Sequence, residues 1–196
     1  PDGSWAVPQD FAQRGVAFDQ ARGQTKPVVL ETLSAVPIAK LERMAAATWL
    51  DRELIAERPT PLCEQGFGSE VRIALERRRQ WLMAEGLARE EGGKTLYGGA
   101  MLTELKAREL NQKGRELEGS LKKPYAAHSS GKIEGVCRGK VELASGRFAI
   151  IEKARDFTLV PWRPVLERHV GRSISGIARG EAITWSVGKQ RGPSIT

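Results

Sequence analysis

The stretch ALERRRQWLMAEGLAREEGGKTLYGG (residues 74–99) decides the fold of its half of the chain. Val71, Ala74, Leu75, Arg78 and Leu82 recur at helical spacing and fall on one face. Ser69 is placed as the N-cap and Glu70 in the first turn, where the helix dipole favours an anion. Gly86 supplies a left-handed stop. Beyond it, LARE and KTLY flank EGG, the pattern of a β-hairpin with a glycine turn, and Gly98 and Gly99 end the ribbon. Three consecutive arginines, Arg77, Arg78 and Arg79, ride on this helix. They make it either a surface for nucleic acid or a solvated face beside a core. Arg78 falls on the inward stripe, where its aliphatic stem can pack.

Working outward, residues 1–27 mix Gly, Pro and polar side chains without a period and read as a flexible lead-in. VVLETL (residues 28–33) opens with β-branched residues and is expected as a short strand. Ile38, Leu41, Ala45, Leu50, Leu54 and Ile55 make residues 38–57 helical, with a break at Thr48 or Asp51. RPTPLCEQGFG (residues 58–68) is a loop by its prolines and glycines. After the ribbon, a helix over residues 101–121 carries Leu102, Leu105, Leu110 and Leu117 among charges, with Glu104 and Arg108 paired at i,i+4.

The texture changes after Pro124. YAAHSSGK reads as a linker, and IEGVCRGKVEL, RFAIIE, FTLVPW, SISGIAR and AITWSV read as short strands. RPVLERHVG is one short helix, with Pro164 in its first turn and Gly171 as its stop. The expected class is α+β. A helical, winged-helix-like module (28–123) precedes a linker (124–131) and a small, basic β-rich domain (132–196), barrel-like with one inserted helix. The order helix, loop, helix, Gly, hairpin is that of winged helices, whose second helix is usually presented to a DNA groove.

Charge is unevenly spread along the 196 residues, whose formal net charge is +7. Residues 1–60 hold seven basic and eight acidic side chains, 61–123 twelve and ten, and 124–196 twelve and six. A basic surface attracts polyanions without specifying their sequence. On the helix and hairpin, Arg72, Arg77, Arg78, Arg79, Arg89 and Lys94 are candidate phosphate contacts. Glu70, Glu76, Glu85, Glu90 and Glu91 share those elements and nearly cancel them. The stronger electrostatic candidates are Arg138, Lys140, Arg147, Arg163, Arg168, Arg172, Arg179, Lys189 and Arg191. Trp162, Trp185 and Phe157 are either base-stacking platforms or, more commonly for aromatics in small β-domains, core.

Other chemistries find little support. Cys63 and Cys137 match no metal or disulfide framework and read as isolated buried thiols of a cytoplasmic protein. No run approaches the roughly 18 apolar residues that span a bilayer, so no membrane insertion is expected. No GxxxxGK[ST] loop occurs, and the two histidines, His128 and His169, have no ligand spacing. No cofactor, metal or catalytic residue is assigned. The enzymatic alternative is His169 acting with Glu152 or Asp156. With no initiator Met and no secretory signal pattern, Pro1 is expected to begin inside a longer protein.

Three groups of phrases carry a resemblance: ATWLDRELI (47–55), ALERRRQWLMAEGLAR (74–89), and VCRGKVELASGRFAIIE, FTLVPWRPVLERHVGRSISGIARG and ITWSVGKQRGP beyond residue 135. Across residues 28–196 the chain resembles the C-terminal region, a domain of unknown function, of large conjugative and mobilisation relaxases. The resemblance implies a transfer protein of a plasmid or integrative element. Its nicking part would lie upstream of Pro1 and use a tyrosine nucleophile with a histidine cluster around a metal. Tyr97 and Tyr125 have no histidine trio beside them, so no nicking residue carries over. What the resemblance leaves for this region is an accessory role: holding DNA, single- or double-stranded, or docking relaxosome or coupling proteins.

Overall fold

Thr48 splits the apolar run that follows Pro37. Its backbone N–H and its hydroxyl both donate to Asp51 Oδ2, at 2.7 and 2.9 Å, and this capping box starts helix α2 (Trp49–Leu54) apart from the short α1 (Ile38–Leu41). The computed structural model describes residues 13–14, 16–17, 33–128, 130–179 and 182–186. The strand expected over 28–33 lies, but for Leu33, outside them. The chain divides into two compact units, Pro1–Leu33 and Ser34–Thr196, and the second holds every helix and strand from α1 onward.

Helix α3 (Phe67–Ala84) starts earlier than expected: its N-cap is Gly66, at φ 59°, and not Ser69. Gly68, in the first turn, lies so close to the Cys63 backbone that a Cβ there would collide with it. The helix ends as expected, with Gly86 at φ 72°. Strands β1 (Ala88–Glu91) and β2 (Lys94–Tyr97) pair antiparallel around Gly92 and Gly93. Both glycines have positive φ, 58° and 73°, as a type I′ turn demands. Helix α4 (Met101–Leu121) follows with the predicted bounds.

The second half is one antiparallel sheet of order β5-β4-β3-β6-β7. Its strands are β3 (Ser130–Leu143), β4 (Gly146–Glu152), β5 (Phe157–Pro161), β6 (Ser173–Arg179) and β7 (Ala182–Ser186). The inserted helix is a 3-10 turn, Pro164–His169. β3 is shared along its length: residues 130–136 pair with β6 and residues 136–143 with β4, with a bulge between Cys137 and Gly139. The sheet curls far enough for Val160 of β5 to join one core cluster with Ala178 of β6 and Ile183 of β7. It does not close, because β5 and β7 remain its two edges.

Strand alternation gives the sheet two apolar faces. Ala149, Ile151 and Val160 turn inward with Ile133, Cys137 and Ile174, and Leu166 of the 3-10 turn plugs this cluster. Phe148, Ile150, Phe157 and Leu159 turn the other way and meet Leu110, Leu117 and Leu121 of α4. The other end of α4 sends Met101 and Leu105 into the helical core with Ala47, Leu82 and Leu87. Each fully buried leucine in these clusters contributes about 1.5–3 kcal/mol. Two further contacts fix α4 on the sheet. Glu109 accepts the Ala144 and Ser145 N–H groups at 2.7 and 3.1 Å, and Gly114 lies directly under the Tyr125 ring.

Candidate functional site

The arginine triplet has three different fates. Arg77 is exposed and paired with Glu42 at 3.2 Å, and Arg79 is paired with Glu76 at 2.6 Å while reaching Thr95 Oγ1 at 3.2 Å. The Arg79 hydrogen bond holds the Glu76 carboxyl below its ordinary range. Arg78 is buried completely. Its Nε and Nη2 grip Asp51 at 2.7 and 2.8 Å, and it donates to the carbonyls of Leu41, Met44 and Ala46. Its guanidinium also lies 4.5 Å from the Trp81 ring centroid. Arg78 as a phosphate contact is therefore corrected: a guanidinium with no exposed surface and five bonds inside the fold cannot reach one.

The rest of this element is nearly neutral at its surface. Arg89 pairs with Glu91 at 3.3 Å, and Arg72 leans on the Leu62 carbonyl at 3.4 Å. Lys94 stands exposed at the hairpin tip with no ion pair among the described residues.

The sheet half differs. Arg138 is tied to Glu152, which also takes Lys123 at 2.7 Å. The Arg138 hydrogen bond first, and that of Lys123 second, hold the Glu152 carboxyl down at about 2. Lys140, Arg147, Arg163, Arg168 and Arg172 are exposed and have no acidic partner among the described residues. The side chain of Arg179 and the whole of Lys189 and Arg191 lie outside the described residues.

The three aromatic candidates also separate. Phe157 is fully buried, its ring 5.6 Å from that of Tyr125, so a stacking role for it is corrected. Trp185 packs against the inner cluster and over Gly176. Trp162 is half-buried at the rim of that cluster, and its backbone N–H donates to the Arg147 carbonyl at 2.9 Å. The register pairs Lys140 with Ala149 and Glu142 with Arg147, which puts Lys140 and Arg147 on the inner face beside Trp162. The Lys140 ammonium lies 5.7 Å from the Trp162 ring centroid. Together with Pro164 and Glu167 these side chains line a polar cleft of about 450 Å³.

Lys140, Arg147 and Trp162 were legible as candidates, whereas Glu167 was not. It is one acid among bases on the turn, and only the turn's docking through Leu166 brings it to the cleft. A second, mainly apolar cavity of about 580 Å³ lies between α4 and the sheet, with His128 in its wall. Burial, and then Lys153, push the His128 imidazole below its usual range. Of the enzymatic alternative, Glu152 is committed to Arg138 and Lys123, and Asp156 pairs with Lys153 at 3.2 Å. Among the described residues no group of three or more His, Cys, Asp or Glu is placed to hold a metal ion, and no helix is long and apolar enough to cross a membrane.

The model of the family described as "Protein of unknown function (DUF3363)" matches residues 1–194. The chain belongs to this family. No curated protein and no solved structure matches it. The DUF3363 match covers both the helical elements and the sheet, so the cleft and the buried Arg78 node lie within the matched span.

Proposed function

We propose that this chain is a non-catalytic, DNA-associated accessory region of a conjugative relaxase, supporting DNA binding and relaxosome assembly in plasmid transfer. The observation that carries the DNA reading is the set of cations without acidic partners on the sheet half: Lys140, Arg147, Arg163, Arg168 and Arg172. In this reading the curled sheet is a barrel-like phosphate-binding platform, and α3 with its β1–β2 wing is a winged-helix-like neighbour that contributes little charge. The relaxase context rests on the phrases shared with relaxase C-terminal regions, and a cytoplasmic location belongs to the same proposal.

The test is affinity for labelled single- and double-stranded DNA across a salt series. Neutralising Z phosphates gives a log–log slope of about −0.9Z on duplex and −0.7Z on single strands. One phosphate for each of these five cations therefore predicts slopes near −4.5 and −3.5 by the same relation. Reversing charge at Arg163 and Arg168 should shallow the slope by roughly one unit for each phosphate no longer neutralised. No binding at low salt would remove the reading.

A protein-docking role for the coupling or secretion machinery is favoured by one specific observation on the helical half. Arg77, Arg79 and Arg89 there are ion-paired, while Phe67 and Ile73 on α3 are 65% and 49% exposed, with Leu96 of the wing at 41%. Under this reading, Phe67→Ser with Ile73→Ser abolishes partner capture and leaves DNA affinity unchanged.

A further inference from the structure

The cleft beside Trp162 has a chemistry that a general phosphate-binding surface does not need. Lys140 and Arg147 line it, yet neither pairs with Glu167, which lines it too and has no ion pair among the described residues. An acid left as a bare acceptor in the same cleft as two cations weakens a site meant only for phosphate. It is useful where the ligand carries both a negative group and a hydrogen-bond donor.

The parts of the cleft are held in place from behind. Leu166, next to Glu167, is completely buried in the inner cluster, and its N–H donates to the Arg163 carbonyl at 2.9 Å, which fixes the 3-10 turn. Trp162 packs on the same cluster, and its backbone is tied to Arg147. The indole keeps part of its surface open, and the Lys140 ammonium lies over its face, 5.7 Å from the ring centroid. A volume of about 450 Å³ falls within the span of small-ligand sites, about 300–1,000 Å³.

The geometry points to a nucleotide-reading site: Trp162 stacks one unpaired base, Lys140 and Arg147 hold its flanking phosphates, and Glu167 accepts a hydrogen bond from the exocyclic amine of that base. Stacking is tolerant of sequence because every base has a π-face. The carboxylate is not tolerant. It accepts from the exocyclic amine of cytosine or adenine, whereas thymine carries a carbonyl acceptor at the position of the cytosine amine and offers only its ring N3–H. The site therefore prefers amine-bearing bases, and this preference rests on the proposed association with DNA.

The experiment measures anisotropy of labelled oligodeoxycytidine, oligothymidine and a mixed-sequence duplex with the full chain, its Glu167→Gln variant and its Trp162→Leu variant. The wild type should bind oligodeoxycytidine more tightly than oligothymidine. Glu167→Gln, at an exposed position, should bring the two affinities together while leaving the salt slope in place. Trp162→Leu should weaken both single strands by about 5- to 150-fold and the duplex much less. Its melting curve separates a folding defect from the loss of a stacking platform, and Glu167→Gln keeps the test decisive if that variant unfolds. Equal binding of the two single strands by the wild type, or a preference that survives Glu167→Gln, overturns the site while salt-dependent DNA binding stands. No binding to any of the three overturns both.

Discussion

Replacing Arg78 by methionine keeps an aliphatic stem of similar length and removes the charge from inside the helical core. The loss falls on both sides of the contact. Asp51 keeps the Thr48 N–H and hydroxyl at 2.7 and 2.9 Å but loses both guanidinium bonds at zero exposure. The carbonyls of Leu41, Met44 and Ala46, gathered at 3.1, 2.7 and 2.8 Å around the same group, lose their donor. Removing one partner of a buried pair costs about 3–5 kcal/mol because a buried charge is left uncompensated. In a chain of this size each kcal/mol moves the melting temperature by about 2–4 °C, so Arg78→Met should melt roughly 6–20 °C below the wild type. Thermal and urea unfolding followed by circular dichroism reads this directly. Asp51→Asn should cost a comparable amount, since the amide keeps the capping acceptor but leaves the Arg78 guanidinium buried without its counter-charge. The double variant should lose clearly less than the sum of the singles. Arg78→Lys should fall between wild type and methionine, because a point ammonium cannot span a carboxylate and three carbonyls. An Arg78→Met protein melting within about 3 °C of wild type, half the smallest shift expected, would refute the node.

Three further expectations concern the joints of the fold. Glu152, held at about 2 by Arg138 and Lys123, contributes stability that is complete above its ordinary value of 4.5 and is lost as pH falls towards 2. The stability difference between wild type and Glu152→Gln should shrink across that interval in acid unfolding curves; a constant difference would count against the pairing. Glu109→Ala removes a carboxylate from the Ala144 and Ser145 N–H groups and should cost about 1.5–3 kcal/mol. It should also speed hydrogen exchange at those two amides, and unchanged exchange would contradict the contact. Gly114→Ala should destabilise by about 1–3 kcal/mol, although alanine is the better helix former by about 1, because its methyl overlaps the Tyr125 ring. A gain in melting temperature would mean that the ring moves aside freely.

What the sequence disclosed follows a physical divide between local and distant causes. The hairpin was legible because Gly92 and Gly93 are the residues a type I′ turn requires, and α4 because its leucines recur without a breaker. The five strands were legible as short apolar runs between turns. Gly66 displaced Ser69 as the N-cap through the close approach of Gly68 to Cys63, a contact that no propensity encodes. The fate of each arginine was set by partners across the fold. Arg77 meets Glu42 over 35 residues and Arg78 meets Asp51 over 27, so their numbers on a charge count were equal while their roles were opposite. Arg78 left one trace in the sequence, its place in the inward stripe with Ala74 and Leu82. The cleft was half legible. Lys140, Arg147 and Trp162 stand out by type, whereas Glu167 acquires meaning only through the burial of its neighbour Leu166.

Helix α4 has its front turns in one core and its back turns in another. That arrangement denies residues 34–186 any clean place to be cut. Residues 34–123 made alone would carry Leu110, Leu117 and Leu121 as a bare greasy ridge, and the sheet made alone would present Phe148, Phe157 and Leu159 to water. Each piece would seek a substitute for the other, in its own copies or in a chaperone. Heat or denaturant should therefore melt both halves in a single step, and an insertion or recombination event within residues 34–186 should be tolerated at the β1–β2 tip far better than anywhere along that helix.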